Sequence, residues 1–335
     1  MDFSVGVGLT NACDLACAHC YRDADRLDQL TIEQVLGVCD SLPVRSINLG
    51  TGENGLHPDY AAIVRALATR GVKLSLTSNG YTVERSADET LRAFREIEVS
   101  IDFPTEREQD AFRGPGNWPR VMAAIERAQR LGVTVTVLSV MMKTNYTRLP
   151  EIAGLAFAVG ANYRVNVYQP VKTDAFTLSY EEFWEGFRRL LGATRLVSTT
   201  EPILNAVLGE PFPTGSGCGR QTVRVTPRGD VIPCVYWDKS DLRLADLPTR
   251  GAPGVLASPQ FERARTIPAA CRECPFLSTC QGGCAGRREL GGSVEAADPY
   301  CPLIRGEKIA LDWALAERQD LLKTGSACTT VLAPA

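Results

Sequence analysis

Leu9-Thr10-Asn11-Ala12-Cys13-Asp14-Leu15-Ala16-Cys17-Ala18-His19-Cys20-Tyr21 is the stretch on which the reading of this chain turns. Its thiols follow the spacing C-x3-C-x2-C, directly after an apolar, strand-like start at Ser4–Leu9. Three soft thiolates hold an iron–sulfur cluster by three corners and leave the fourth iron open. Structural zinc favours C-x2-4-C pairs that close at four ligands, and no matching pair lies near this loop. An open corner on a cluster implies chemistry there.

Composition sets the bounds. The chain has 335 residues, enough for one large domain and a smaller one with a buried core. A net charge of −3 without a basic block argues against nucleic acid or an anionic membrane as partner. The start, Met1-Asp2-Phe3-Ser4-Val5-Gly6, lacks the basic and long apolar regions of a secretory signal. No run reaches the ~18 apolar residues of a membrane span, so a cytoplasmic location is expected. Twelve cysteines then need an explanation other than disulfides. All but Cys39 and Cys328 fall in clustered spacings. Cys39 continues the stripe Ile32, Val35, Leu36 and reads as a small buried hydrophobe.

Short apolar runs alternate with amphipathic patterns up to about residue 195, the rhythm of βα units. Strands are expected at Ser4–Leu9, Ser46–Leu49, Val72–Thr77, Glu98–Asp102, Val133–Met141 and Tyr163–Gln169. Helices are expected at Thr31–Leu42, Tyr60–Arg70, Ala87–Phe94, Trp118–Leu131, Leu149–Val159 and Tyr180–Leu191. Thr31 with Gln34 and Ser179 with Glu182 fit capping boxes, and Gly71 and Gly132 fit helix-terminating glycines. Periodicity alone leaves an open doubly wound sheet and an incomplete barrel both standing.

A second constellation lies toward the other end. Cys218-x10-Gly229-x4-Cys234 is followed by Cys271-x2-Cys274-x5-Cys280-x3-Cys284, and Cys301 closes the set. Ligand type alone leaves zinc and iron–sulfur both open for these seven thiols.

The first motif, with Tyr21 directly after the last cysteine, resembles the signature of the radical S-adenosylmethionine (SAM) superfamily. The second resembles the SPASM domain appended to members that mature peptides and proteins. The fold this implies is α/β, a partial (β/α)6 TIM-type barrel over 1–200, a linker over 201–217, a loop-rich cysteine-rich SPASM domain over 218–305, and a C-terminal helix and tail over 306–335. It implies three [4Fe–4S] clusters: one on Cys13, Cys17 and Cys20 that binds SAM, a distal auxiliary cluster on Cys271, Cys274, Cys280 and Cys301, and a nearer one on Cys218, Cys234 and Cys284. The fourth ligand of the nearer cluster stays open among an exposed iron, a non-cysteine ligand and Cys328.

Further motifs fall where such a barrel keeps its site, at the C-terminal ends of strands. Leu49-Gly50-Thr51-Gly52-Glu53 is similar to the family's Gly-Gly-Glu element, with Thr51 in place of the second glycine, so Gly52 and Glu53 are expected at the SAM amino group. Thr77-Ser78-Asn79-Gly80-Tyr81 resembles the ribose-contacting turn, which adds Ser78 and Asn79. Asp102 ends the fourth strand, and Gln109-Asp110-Ala111-Phe112-Arg113-Gly114 resembles the His-Asp-x-x-Arg-Gly segment of peptide-modifying members, with Gln109 for the histidine. Arg164 and Asn166 on the sixth strand are candidate SAM or substrate contacts.

The resemblance implies reductive cleavage of SAM to a 5′-deoxyadenosyl radical and hydrogen abstraction from substrate, with auxiliary clusters favouring a net oxidation such as crosslinking or dehydrogenation. Proton acceptors are scarce. His19 sits inside the cluster loop, and His57 is expected to cap the following helix. Sulfatase-maturing members carry an aspartate directly after the second SPASM cysteine, where this chain has Val235. Asp238, Tyr236 and Asp102 are the remaining candidates. The expected substrate is a ribosomally made peptide, the alternative a sugar or nucleoside intermediate. Expected partners are an electron donor such as flavodoxin or ferredoxin and a separate leader-peptide-binding protein. A non-catalytic zinc or iron–sulfur regulatory protein is the contrasting class.

Overall fold

The computed structural model describes residues 2–209, 217–237, 240–317 and 328–335. The first strand, β1 (Phe3–Val7), is buried at every position, so both faces meet protein. Five strands follow in parallel register: β2 (Val44–Leu49), β3 (Lys73–Ser78), β4 (Glu96–Ser100), β5 (Thr134–Met141) and β6 (Asn162–Val167). The connections supply α1 (Ile32–Ser41), α2 (Tyr60–Thr69), α3 (Tyr81–Arg85), α4 (Asp88–Arg92), α5 (Glu106–Arg113), α6 (Asn117–Arg130) and α7 (Leu149–Ala158). Next come α8 (Tyr180–Ala193), β7 (Thr194–Thr199), α9 (Pro202–Leu208), β8 (Thr222–Val225), β9 (Val231–Ile232) and, near the C-terminus, β10 (Thr330–Pro334).

Ten strands make one sheet in the order β7-β10-β6-β5-β4-β3-β2-β1-β8-β9. Its centre is the partial (β/α)6 barrel, and β7 and β9 form separate edges. The strand β8, from the cysteine-rich part, pairs parallel with β1, while β10 inserts antiparallel between β6 and β7. The tail therefore closes the sheet on the side away from β8.

Alternation along the strands sorts two environments. Ile47, Leu49, Leu74, Leu76, Ile97, Val99, Val135, Val137, Tyr163 and Val165 belong to the core packed under the helices. The intervening Asn48, Ser75, Glu96, Glu98, Thr136 and Arg164 are buried polar or charged side chains, and Thr77 among them is half-buried. A barrel with a polar interior is built to hold a ligand, and each polar group needs a partner in place of water.

Local signals for helix ends hold. Thr31 with Gln34 and Ser179 with Glu182 form reciprocal capping boxes on α1 and α8. Gly71 and Gly132 adopt φ +70° and +74° just past α2 and α6. Several expectations differ from the structure. The α3 and α5 helices and β7 are additional, the segment expected as a linker contains the buried helix α9, and residues 306–317 carry no helix. The end of the chain, expected as a tail, is β10, where Thr330-Val331-Leu332 supplies a β-branched, apolar edge that the sheet takes up.

Helix α8 joins barrel to cysteine-rich lobe. Phe183 stacks on Tyr300 at 4.2 Å between centroids, and Trp184 Nε1 donates to the Tyr300 carbonyl at 3.1 Å. Full burial of each such ring stabilises the junction by about 1.5–3 kcal/mol. No helix among the described residues is long and apolar enough to cross a membrane.

Candidate active site and cluster-binding thiols

The cluster loop leaves β1 and is fastened from several directions. Arg22 donates to the Asn11 and Leu15 carbonyls at 3.1 and 2.7 Å, and the Glu53 backbone N–H donates to Ala12 at 2.7 Å. Gly52 is required by that approach: at φ +59°, a Cβ would stand 2.5 Å from the Ala12 carbonyl oxygen. Cys13, Cys17 and Cys20 are half-buried free thiols on this loop. Burial pushes the Cys13 thiol up to about 11 and raises Cys17 as well. Such thiols bind as thiolates only where a metal supplies the compensating charge, which suits iron.

Glu53, Ser78 and Asn79 come together, but facing each other. The buried Glu53 carboxylate accepts from Ser78 Oγ at 2.5 Å, the Asn79 N–H at 2.9 Å, the Thr82 N–H at 2.8 Å and the Thr82 hydroxyl. It anchors the start of α3, and burial raises its pKa against those four donors. Asn79 Nδ2 donates to Asp14 at 2.8 Å and lies 3.7 Å from Cys13 Sγ. The neighbours of Glu53, Gly50, Thr51 and Gly52, line the barrel cavity.

That cavity, about 220 Å³, opens at the C-terminal ends of the strands among His19, Tyr21, Thr51, Glu98, Arg164 and Tyr236. Arg164 faces inward, paired with Glu98 and, at 3.3 Å, with Glu96. Thr77 donates to Glu98 at 2.6 Å. Thr51 holds a left-handed φ of +82°, rare for a β-branched residue. Its hydroxyl is engaged by Tyr21 at 3.0 Å and by Arg224, which also donates to the Gly50 carbonyl at 2.6 Å. Arg224 comes from β8, so the cysteine-rich lobe completes the cavity wall. Tyr236 lines the same wall, its ring edge-on to Tyr21 at 6.1 Å. Asp238 lies outside the described residues.

Asp102 is buried behind the cluster loop. Its carboxylate takes Arg113 at 2.6 Å and the Val140 N–H at 2.9 Å, and lies 3.7 Å from His19 Nε2. Burial is the largest influence on Arg113 and opposes its charge, but Asp102 together with Cys17 and Cys20 raises its pKa overall, so it stays charged. His19 stacks on Phe112 at 4.9 Å, and burial pushes it down to about 4, so it is neutral at pH 7. Gln109, where the family places histidine, caps the Asp102 N–H at 2.9 Å and bonds Asn117 at 2.8 Å. His57, expected to cap the following helix, instead accepts the N–H of Asp59, the N-cap residue of α2, at 3.1 Å and contacts the Leu30 carbonyl at 2.8 Å, so it sets the turn ahead of that helix. Of the described proton-acceptor candidates, Tyr236 is the one that lines the cavity, and burial raises its pKa, which keeps the hydroxyl protonated.

In the C-terminal lobe, Cys271, Cys274, Cys280 and Cys301 line one cavity of about 300 Å³ with Phe276, Leu277, Ile203 and Asp298. Four thiols around an apolar cradle are the donor set of a cysteine-ligated iron–sulfur cluster. Burial pushes Cys280 up to about 12, again a group awaiting a cation. Cys218 and Cys234 are in thiol–thiol contact, and Cys284 opens the helix Ala285–Leu290 against them. A buried hub links the two groups: Asp298 accepts from the Cys284 N–H at 2.8 Å and from Arg287 at 2.7 Å, and Arg287 pairs with Glu201 at 2.7 Å. Sequence reasoning missed Glu201, Arg287, Asp298 and Arg224, since charge buried between lobes has no local period. Among the described residues, no three His, Cys, Asp or Glu side chains converge on a single-ion site.

A three-thiol loop at the mouth of a partial barrel, joined to a lobe of clustered thiols, defines a class. Residues 7–156 match the Radical SAM superfamily, and residues 217–275 match SPASM, an iron–sulfur cluster-binding domain. The chain carries a radical SAM domain followed by a SPASM domain, an enzyme architecture that implies SAM, a [4Fe–4S] cluster and auxiliary iron–sulfur clusters. It is similar to the mycofactocin maturase MftC of Mycobacterium ulcerans (strain Agy99), 26% identical over 325 residues, 88% of this chain and 86% of that protein. Over 332 residues it is 27% identical to the PqqA peptide cyclase of Methylobacterium nodulans, covering 88% and 84%. Its fold is shared with anSMEcpe with bound AdoMet, at TM-score 0.70, 15% identity and 91% and 95% coverage. It is also shared with Streptococcus suis SuiB bound to S-adenosylmethionine, at TM-score 0.64, 16% identity and 89% and 76% coverage.

Proposed function

We propose that this enzyme oxidatively modifies a ribosomally made peptide, by crosslinking or dehydrogenation, in a cavity shared by barrel and SPASM domain. The observation that carries this reading is the similarity, across 88% of the chain, to a protein named for cyclising a peptide. When bound, SAM and the cluster on Cys13, Cys17 and Cys20 supply a 5′-deoxyadenosyl radical, and the auxiliary clusters supply an electron sink. Gly50, Thr51, Gly52, Arg113 and Arg164 are the proposed SAM-side groups, with Glu53, Ser78 and Asn79 fixing the loop behind them. Tyr21 stiffens the wall through Thr51. Arg224 is buried and donates to the neutral Gly50 carbonyl and Thr51 hydroxyl, so it offers positive charge to an anionic group at this end of the cavity. Tyr236 faces the same space, and burial keeps its hydroxyl protonated, so its proposed role is a hydrogen-bond donor to substrate.

We further propose an external one-electron donor of the flavodoxin or ferredoxin type and a separate leader-binding protein. The test is incubation of the reconstituted enzyme, SAM and reductant with the short peptides encoded beside its gene. Mass loss by paired hydrogens, localised by fragmentation, is the expected result. Unmodified peptides alongside turnover of a neighbouring pathway's sugar or nucleoside would overturn it.

A further inference from the structure

The nearer auxiliary site has three thiols in the SPASM pattern, and a fourth arrives from the far end of the chain. Cys328 directly precedes the segment that enters the sheet as β10. Its neighbour Thr329 is pinned on both backbone groups: the N–H donates to Thr200 Oγ1 at 2.9 Å, and the carbonyl accepts from the Thr200 N–H at 2.8 Å. The next residue along from Thr200 is Glu201, which grips Arg287 at 2.7 Å. Arg287 lies in the helix that Cys284 opens, and Asp298 holds that arginine and the Cys284 N–H together. This run of short bonds sets the Cys328 thiol against the Cys284 thiol, with which it is in hydrogen-bonding contact. Cys284 lies within electrostatic reach of Cys234, which is in thiol–thiol contact with Cys218, and a Cβ on Gly286, two residues on from Cys284, would stand 3.5 Å from Cys234 Sγ.

We infer that Cys328 is the fourth ligand of the nearer auxiliary cluster, joining Cys218, Cys234 and Cys284, so that this cluster is closed to substrate and to outside ligands. Four cysteine thiolates are the full ligand set of a [4Fe–4S] cluster. The β10 pairing gives the ligand its rigidity. A thiol on a loose tail would pay conformational entropy on every binding event, whereas Cys328 is held at the end of a strand paired on both sides. Thr329, adjacent to it, also lines the SAM-side cavity, so the tail touches both sites.

The test uses the full chain carrying Cys13→Ala, Cys17→Ala and Cys20→Ala, so that only auxiliary clusters load. It is reconstituted anaerobically, reduced, and read by electron paramagnetic resonance with and without cyanide. The reduced signals are expected to be indifferent to cyanide. Adding Cys328→Ala should shift one cluster's signal and make it cyanide-sensitive, or remove one cluster's worth of iron, while the other signal stays as a mark of intact folding. Cys328→Ser should keep the iron and shift the reduction potential of that cluster alone, and Cys39→Ala should change neither. A cyanide response already present with Cys328 intact would overturn the inference, as would spectra and iron content unchanged by Cys328→Ala. These readouts are independent of whether the substrate is a peptide.

Discussion

In the barrel, most of the buried charge is answered by protein: Glu53 takes four donors, Arg164 sits between two glutamates, and Asp102 holds Arg113, while Asn166 Oδ1 and Gln169 Oε1 at the cavity have no hydrogen-bond partner among the described residues. In the C-terminal lobe, Cys271, Cys274, Cys280 and Cys301 surround an apolar cavity as free thiols. The first region arrives assembled, whereas the second depends on a metal to finish it. The difference teaches where binding free energy becomes folding free energy: in the lobe, iron doubles as core.

The largest expected break in this contrast follows removal of iron. Anaerobic chelation should make residues 217–317 the first region to lose hydrogen-exchange protection and to be cut by protease, with β1–β6 still protected. Uniform loss across both regions would mean that the barrel leans on the clusters too.

Next in size is the hub between the lobes. Arg287→Leu leaves Glu201 and Asp298 buried without a cation, at an expected cost of about 3–5 kcal/mol in urea unfolding, with Arg287→Lys recovering part. A smaller effect is expected at Glu53→Gln, which turns one acceptor oxygen into a donor facing donors. About 1–3 kcal/mol should be lost, with weaker SAM binding by calorimetry because the Gly52 loop is released from α3. Smallest is Thr51→Gly. It relieves a left-handed backbone worth about 1–3 kcal/mol but gives up the Tyr21 and Arg224 contacts at about 1 kcal/mol each, so stability should move by no more than about 1 kcal/mol. An unchanged SAM affinity in that variant would show that the Thr51 hydroxyl is not needed to hold the cavity wall.

Where local chemistry decides structure, the sequence was readable. The capping boxes, the terminating glycines and the six parallel strands depend on neighbours within a few residues, and the resemblance to the SPASM pattern grouped Cys271, Cys274, Cys280 and Cys301, which line one cavity. Polar strand positions hid in plain view: Asn48, Thr77, Glu98 and Arg164 alternate with core residues, but their pairing across β2, β3, β4 and β6 has no signature on any one strand. The same is true of β10, which looked like a tail because its partners stand far away in sequence, at Val165 and Thr199. Glu53 showed that a motif residue can serve its site from behind, by fixing the turn whose backbone lines the cavity.

The most direct test of the first cluster loop is product analysis after anaerobic reconstitution and reduction with SAM. The intact protein should form 5′-deoxyadenosine and methionine in equal amounts, and Cys17→Ala, which removes one of the three ligands, should form neither above background. Equal yields from the two proteins, or none from a fully iron-loaded intact chain, would contradict the assignment of Cys13, Cys17 and Cys20 as the site of SAM cleavage.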